Sequence, residues 1–150
     1  MRLSTKGRYA VMAMTDLAGR QGLPDDARAI SLAEIAASQE ISLSYLEQLF
    51  ARLRRHGLVK SARGPGGGYR LARTAAETRI SEIILAVDEP LRATRCGGRG
   101  GPKGCMSKGA RCVTHDLWEE MGRQIHDYLA SVTLADVLDG KLRREVMVAA

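Results

Sequence analysis

The stretch ISLSYLEQLFARLRRHGLVKSARGPGGGYRL, residues 41–71, decides the fold. Its first part is helical, because Leu46, Leu49, Phe50 and Leu53 recur at three- and four-residue spacing and form one apolar stripe. Ser42 or Ser44 can cap the start, and Gly57 stands where a helix ends in a left-handed residue. The outer face carries Ser44, Tyr45, Glu47, Gln48, Arg52, Arg54 and Arg55. The second part predicts two short strands over 58–63 and 69–72, joined by a glycine-rich tip from Gly64 to Gly68.

Upstream, Ser31 followed three residues later by Glu34 is a capping box, in which each side chain satisfies the other end's free N–H. It opens a helix with Leu32, Ile35 and Ala36 inside, stopping near Gln39-Glu40, and Ile41 becomes a buried turn residue. Before it, a helix starting at Ser4 or Thr5 lines up Ala10, Ala13, Met14, Leu17 and Ala18 and ends before Gly22-Leu23-Pro24. Two short helices across a tight turn, followed directly by a β-ribbon, predict a winged helix-turn-helix in a mainly α chain. In that fold the leading residues of the second helix, Ser44, Tyr45, Glu47 and Gln48, reach base edges in the major groove. Arg52, Arg54 and Arg55 then lie near phosphates. Arg63 is placed to enter a minor groove, and Gly66 and Gly67 allow close backbone approach at the wing tip. A solvated face in an ordinary helical bundle is the competing reading of the helix alone. The glycine run is not a nucleotide-binding loop, since no helix N-terminus and no P-loop lysine follow it.

Charge points to the same half of the chain. Residues 1–73 hold 12 Lys/Arg against 6 Asp/Glu, whereas residues 74–150 hold 11 of each. The whole net charge of +6 therefore belongs to the half that would meet a polyanion. Among 150 residues, hydrophobic content of 45% is ample for a core, which must be aliphatic because only 4% of residues are aromatic. No apolar run approaches the ~18 residues that cross a bilayer. The opening residues lack the h-region of a signal peptide. Three cysteines, an odd number, argue against a disulfide framework and for a reducing, cytoplasmic setting.

The C-terminal half supplies other parts. A helix led by Ile80-Ser81 runs to about Asp88 and is apolar almost all round. Thr114 can cap the longest helix, whose stripe is Leu117, Trp118, Met121, Ile125, Tyr128 and Leu129. That stripe exceeds what so small a domain needs for its own core and predicts a two-fold interface with a second copy. Trp118 and Met121 are read as packing residues. Thr133-x-x-Asp136 starts a last short helix. His56 and His126 are read as solvent-facing or structural.

All the thiols lie in one window: Cys96, Cys105 and Cys112, followed by His115. Gathered thiolates repel unless a cation holds them, and a soft thiolate–imidazole set favours zinc, copper(I) or an iron–sulfur cluster. Six glycines let the loop wrap a bulky ligand, and Arg92, Arg95, Arg99, Lys103, Lys108 and Arg111 surround it with positive charge. An oxidised [2Fe–2S] core on three thiolates carries a net charge of minus one, which a cationic loop suits.

The opening MRLSTKGRYAVMAMTDLA, residues 41–71, the segment VDEPLRATRC and the run CVTH followed by DLW together resemble the IscR-type iron–sulfur cluster regulators. These belong to a winged-helix family of bacterial transcription factors that also includes NsrR and RirA. The resemblance runs from Met1 to about Asp139. It implies a homodimer that binds double-stranded promoter DNA and carries a [2Fe–2S] cluster on Cys96, Cys105, Cys112 and His115, with [4Fe–4S] as the alternative. It also implies base contacts from Ser44, Glu47, Gln48 and Arg63, control of iron–sulfur biogenesis genes, and partners among cluster-assembly or cluster-transfer proteins. Residues 1–73 are then the DNA-binding domain, and residues 74–150 the cluster loop (92–115) with the dimerisation helices. A DNA-binding protein with a structural zinc, and an iron–sulfur enzyme or electron carrier, are the rival classes. No second constellation of catalytic residues supports an enzyme.

Overall fold

The computed structural model describes residues 4–22, 28–87, 106 and 109–142. Its elements in chain order are α1 (Thr5–Arg20), α2 (Leu32–Gln39), α3 (Leu43–Arg55), β1 (Val59–Ala62), β2 (Gly68–Leu71), α4 (Ile80–Ala86), α5 (His115–Ser131) and α6 (Leu134–Leu138). A single 3₁₀ turn, Ala75–Glu77, links the wing to α4. Mainly helical with one two-stranded ribbon, this is the winged helix-turn-helix expected.

The element boundaries have local causes. The capping box at α2 forms as read: Glu34 N–H donates to Ser31 Oγ at 3.2 Å, and Ser31 N–H to Glu34 Oε2 at 3.0 Å. Of the two serines open as caps for α3, Ser42 takes the role, its Oγ accepting from Tyr45 N–H at 3.4 Å. At the other end of α3, Gly57 adopts φ +73°, and Leu58 N–H donates to the Leu53 carbonyl at 3.0 Å. That left-handed turn satisfies the helix's last carbonyls and starts the chain back into β1.

β1 and β2 pair antiparallel, Val59 opposite Leu71 and Ala62 opposite Gly68. A third short piece joins the wing: Ile30 and Tyr69 exchange two backbone hydrogen bonds of 2.8 Å each. The glycine at 68 makes this approach possible. A Cβ there would stand 2.1 Å from the Ile30 carbonyl oxygen, and its φ of +155° is one that side chains resist. The end of α1 is tied to the same ribbon, since buried Gln21 Oε1 accepts from Leu71 N–H at 2.8 Å.

One apolar cluster runs through both halves. Met14 and Leu17 of α1, Ile35 of α2, Phe50 and Leu53 of α3, Ile83 and Ile84 of α4 and Leu134 of α6 are all buried in it. Each such side chain contributes ~1.5–3 kcal/mol by leaving water. The start of α4 is pinned to the α5–α6 joint, with Ile80 N–H donating to Val132 and Leu134 N–H to Thr78, both at 3.0 Å. α6 starts at Thr133 as read, and there a capping box forms, Asp136 N–H donating to Thr133 Oγ1 at 3.1 Å. Thr114 departs from expectation. Its hydroxyl makes no cap hydrogen bond to α5 and instead accepts from the Trp118 indole at 3.1 Å.

Candidate functional site

The helix-turn-helix is α2 and α3, separated by Glu40, in left-handed backbone at φ +54°, and by buried Ile41. α3 buries Leu46, Leu49, Phe50 and Leu53, which leaves Ser44, Glu47, Gln48, Arg54 and Arg55 exposed on the opposite side. Ser44 Oγ lies 3.1 Å from Ser42 Oγ at the tip of the helix. The face therefore presents hydroxyl, carboxylate and amide at its leading end and two guanidinium groups at its trailing end. Among described residues there is no salt bridge to Glu47, Arg54 or Arg55, so these charges are available to a ligand.

Two residues of the expected set are placed differently from the rest. Tyr45 is half-buried, its ring edge-on to Tyr9 of α1 at 6.0 Å, so its body holds α3 on α1. Arg52 is half-buried as well, and its Nη1 donates to the carbonyl of Val87 at 3.4 Å. Its guanidinium is thus turned inward to α4 rather than outward. The wing completes the surface. Arg63 and Gly66 are exposed at its tip, and Gly67 is half-buried in a turn closed by its N–H to the Gly64 carbonyl at 2.8 Å. Tyr69 stacks edge-on with Phe50 at 5.0 Å, which fixes the wing to the back of α3.

Of the cysteine–histidine set, Cys112 and His115 are described; Cys96 and Cys105 lie outside the described residues. Cys112 is half-buried, and its carbonyl accepts from His115 N–H at 3.1 Å, so the pair shares one turn at the head of α5. The His115 side chain is only 2% exposed. Its Nε2 stands 3.7 Å from Glu119 Oε2, one helical turn on. Arg111 reaches both nearby carboxylates, with Nη2 at 3.3 Å from Asp116 and 3.5 Å from Glu119. Ligand atoms of His115, Asp116 and Glu119 all fall within 4.8 Å of one another. Reading the sequence for soft ligands passed over Glu119, although its i,i+4 spacing from His115 was the available signal. His56 is exposed with Nδ1 2.9 Å from the Arg52 carbonyl, and His126 is half-buried beside Asp127, so both are remote from this turn in role.

α5 is the least covered helix. Along its length only His115 and Gly122 are buried, and Leu117, Trp118 and Tyr128 are 58%, 40% and 49% exposed. Among the described residues no helix is long and apolar enough to cross a membrane.

Known proteins share this architecture and sequence. Residues 3–140 match the Rrf2 family, described as iron-dependent transcriptional regulator. The transcriptional regulator IscR of Escherichia coli O1:K1 is 48% identical over 94% of this chain and 82% of its own. A helix-turn-helix-type transcriptional regulator of Neisseria meningitidis serogroup B is 52% identical over 94% of this chain and 90% of its own. Among solved structures, T. potens IscR superposes with a TM-score of 0.72 at 38% identity, covering 95% of this chain and 89% of that one. CymR, the global cysteine regulator of B. subtilis, gives 0.74 at 31% identity, over 93% of this chain and 98% of that one. An exposed recognition helix with a wing, and a match over nearly the whole length, lead to one conclusion: the chain belongs to the Rrf2 family of transcriptional regulators.

Proposed function

We propose that the protein is a cytoplasmic, homodimeric regulator that senses an iron–sulfur cluster and binds promoter DNA, controlling iron–sulfur biogenesis genes. The observation that carries the cluster reading is the turn at the head of α5. There a half-buried thiol and an imidazole with 2% exposure lie three positions apart in one turn of chain, in a family described as iron-dependent. The donor set suits the group: soft thiolates with one imidazole. Cys96, Cys105, Cys112 and His115 would hold a [2Fe–2S] cluster, which supplies a one-electron, readily lost centre. Ser44, Glu47, Gln48 and Arg63 would meet bases, Arg54, Arg55 and the Gly66-Gly67 backbone phosphates. The uncovered apolar face of α5 would pack against its copy in the partner subunit.

Anaerobic purification tests this reading. Visible charge-transfer bands with about two irons and two sulfides per subunit are expected; a colourless zinc protein would remove the cluster, and about four of each per subunit would make it [4Fe–4S]. His115→Cys should keep the chromophore and lower its reduction potential, because a thiolate adds negative charge where imidazole adds none, the reverse of the rise seen in histidine-ligated Rieske centres. An unchanged potential would place the fourth ligand elsewhere.

A further inference from the structure

The wing carries more positive charge than its tip accounts for. Residues 58–73 hold four Lys/Arg and no Asp/Glu. Arg73 is paired with Glu82, its Nη2 3.0 Å from Oε2. Lys60, Arg63 and Arg70 are exposed, and among the described residues no salt bridge reaches them. Arg63 belongs to the tip. Lys60 and Arg70 stand directly opposite each other across the β1–β2 ladder. The adjoining opposite pair, Val59 and Leu71, is buried at 2% and 8% exposure, so the alternation of the pleat turns Lys60 and Arg70 to the outer face of the ribbon. Directly opposed side chains start from Cβ atoms ~4.5–5.5 Å apart, and like charges so placed weaken the pairing.

A lysine on an edge strand guards it against pairing with another sheet. That accounts for Lys60, since β1 is the outer strand of the described ribbon. It does not account for Arg70, because the far side of β2 is covered: Ile30 pairs with Tyr69 there, and the Gln21 amide oxygen takes the Leu71 N–H. The repulsion between the two cations is relieved when an anion from outside the chain lies between them. We propose that Lys60 and Arg70 together hold a phosphate of the DNA duplex, a contact independent of base sequence and separate from the wing tip. This rests on the reading of α3 and the wing as the DNA-facing surface. In the chain the pair is flanked by Arg54 and Arg55 of α3 on one side and continues to Arg63 on the other. Three residues of strand, ~10 Å at ~3.3 Å each, separate Lys60 from Arg63. Phosphates follow one another every ~3.4 Å of axis along a DNA strand, so tip and pair reach different phosphates.

The test measures binding of the full chain to a random-sequence duplex and to an operator selected with the wild type, each over a salt series, with thermal melts of the free protein alongside. Lys60→Gln and Arg70→Gln should each flatten the salt dependence by about one unit of slope, equally on both duplexes, as removal of a phosphate contact does. The free variants should melt ~0.5–4 °C above the wild type at low salt, because a like-charge pair is gone, and the gain should shrink as salt screens the charges. Lys60→Glu should carry both effects further, since it sets opposite charges across the ladder and repels the DNA backbone. A pair that served only the fold would not give variants that are more stable and bind less well. An unchanged salt slope in both Gln variants would overturn the proposal, whether or not they melt higher. A loss confined to the selected operator would overturn it too, because it would make the pair a base contact. A wild type that binds neither duplex would instead overturn the reading of the DNA-facing surface.

Discussion

Glu47 is the residue whose chemistry is least expected on a DNA-facing surface. It is an exposed carboxylate on the leading half of α3, between Ser44 and Gln48. A carboxylate accepts from the N4 amino group of cytosine, and it repels phosphates and base acceptors wherever no donor faces it. If Glu47 meets bases as proposed, part of its work would be exclusion of sites lacking that donor. Glu47→Ala should broaden sequence preference, with gains of ~1–3 kcal/mol at disfavoured sites, the scale of one base discrimination. Competition binding against a panel of single-base operator variants reads this directly; a uniform loss of affinity across the panel would refute it.

Among the elements, the proposed DNA contacts divide between α3 and the wing. Arg54 and Arg55 are exposed on the trailing turn of a helix, where they act as charges, whereas Arg63 stands at the tip of a ribbon braced by Ile30, Gln21 and Phe50. A braced tip can follow groove width as a loose one cannot. Replacing Arg54 or Arg55 by alanine should weaken specific and random DNA alike and flatten the salt dependence by about one unit each. Arg63→Ala should cost specific sites more than random ones; equal losses at both would deny the wing its part in discrimination.

The helix caps give the elements a pH signature. Glu34 is held below the ordinary carboxylate range by the Ser31 backbone N–H, Glu77 by the Thr74 hydroxyl, and Asp136 by the Thr133 backbone N–H. Partial burial raises Glu82, but the Arg79 N–H and the Arg73 guanidinium outweigh it and leave it lowered as well. Folded values below unfolded ones mean that the unfolded chain binds more protons as acid is added. Stability from these caps is thus complete above about pH 4–4.5 and drains away as pH falls through the lowered folded values. Thermal melts across pH should show a plateau and then a steep acid limb, shallower in the Glu34→Gln, Glu77→Gln double variant.

For the molecule as a whole, the uncovered face of α5 is the surface on which the proposed dimer depends. Ile125 is half-buried within the subunit, so a charge there would disturb the fold and the interface together. Leu117 and Tyr128 are exposed and offer a cleaner probe. Leu117→Asp, Tyr128→Asp should leave the melting temperature of the monomer near that of an isolated fold, convert the protein to a monomer in sedimentation, and abolish binding to two-fold operators. A charge buried in an apolar interface without a partner is costly enough to prevent association. A dimer that survived would move the interface off α5.

Local chemistry alone determined much of this protein. The periodicity of Leu46, Leu49, Phe50 and Leu53, the capping boxes at Ser31 and Thr133, and Gly57 each act within one turn of chain, so α2, α3, α6 and the wing were legible from neighbours in sequence. The exposed residues of α3 followed, because the residues opposite an apolar stripe must face outward. What lay beyond such reading depends on contacts between distant positions. Ile30 pairing with Tyr69, Gln21 reaching Leu71, and Arg52 turning to Val87 join residues 35 to 50 places apart where side chains are involved, and no spacing rule announces them. The same holds for Thr114, whose hydroxyl met the Trp118 indole instead of the helix end, and for His115, whose side chain is only 2% exposed at the head of α5. Short-range hydrogen bonds and periodicity are written in consecutive residues; which surface a side chain finally meets is decided only when the whole chain has closed around one core.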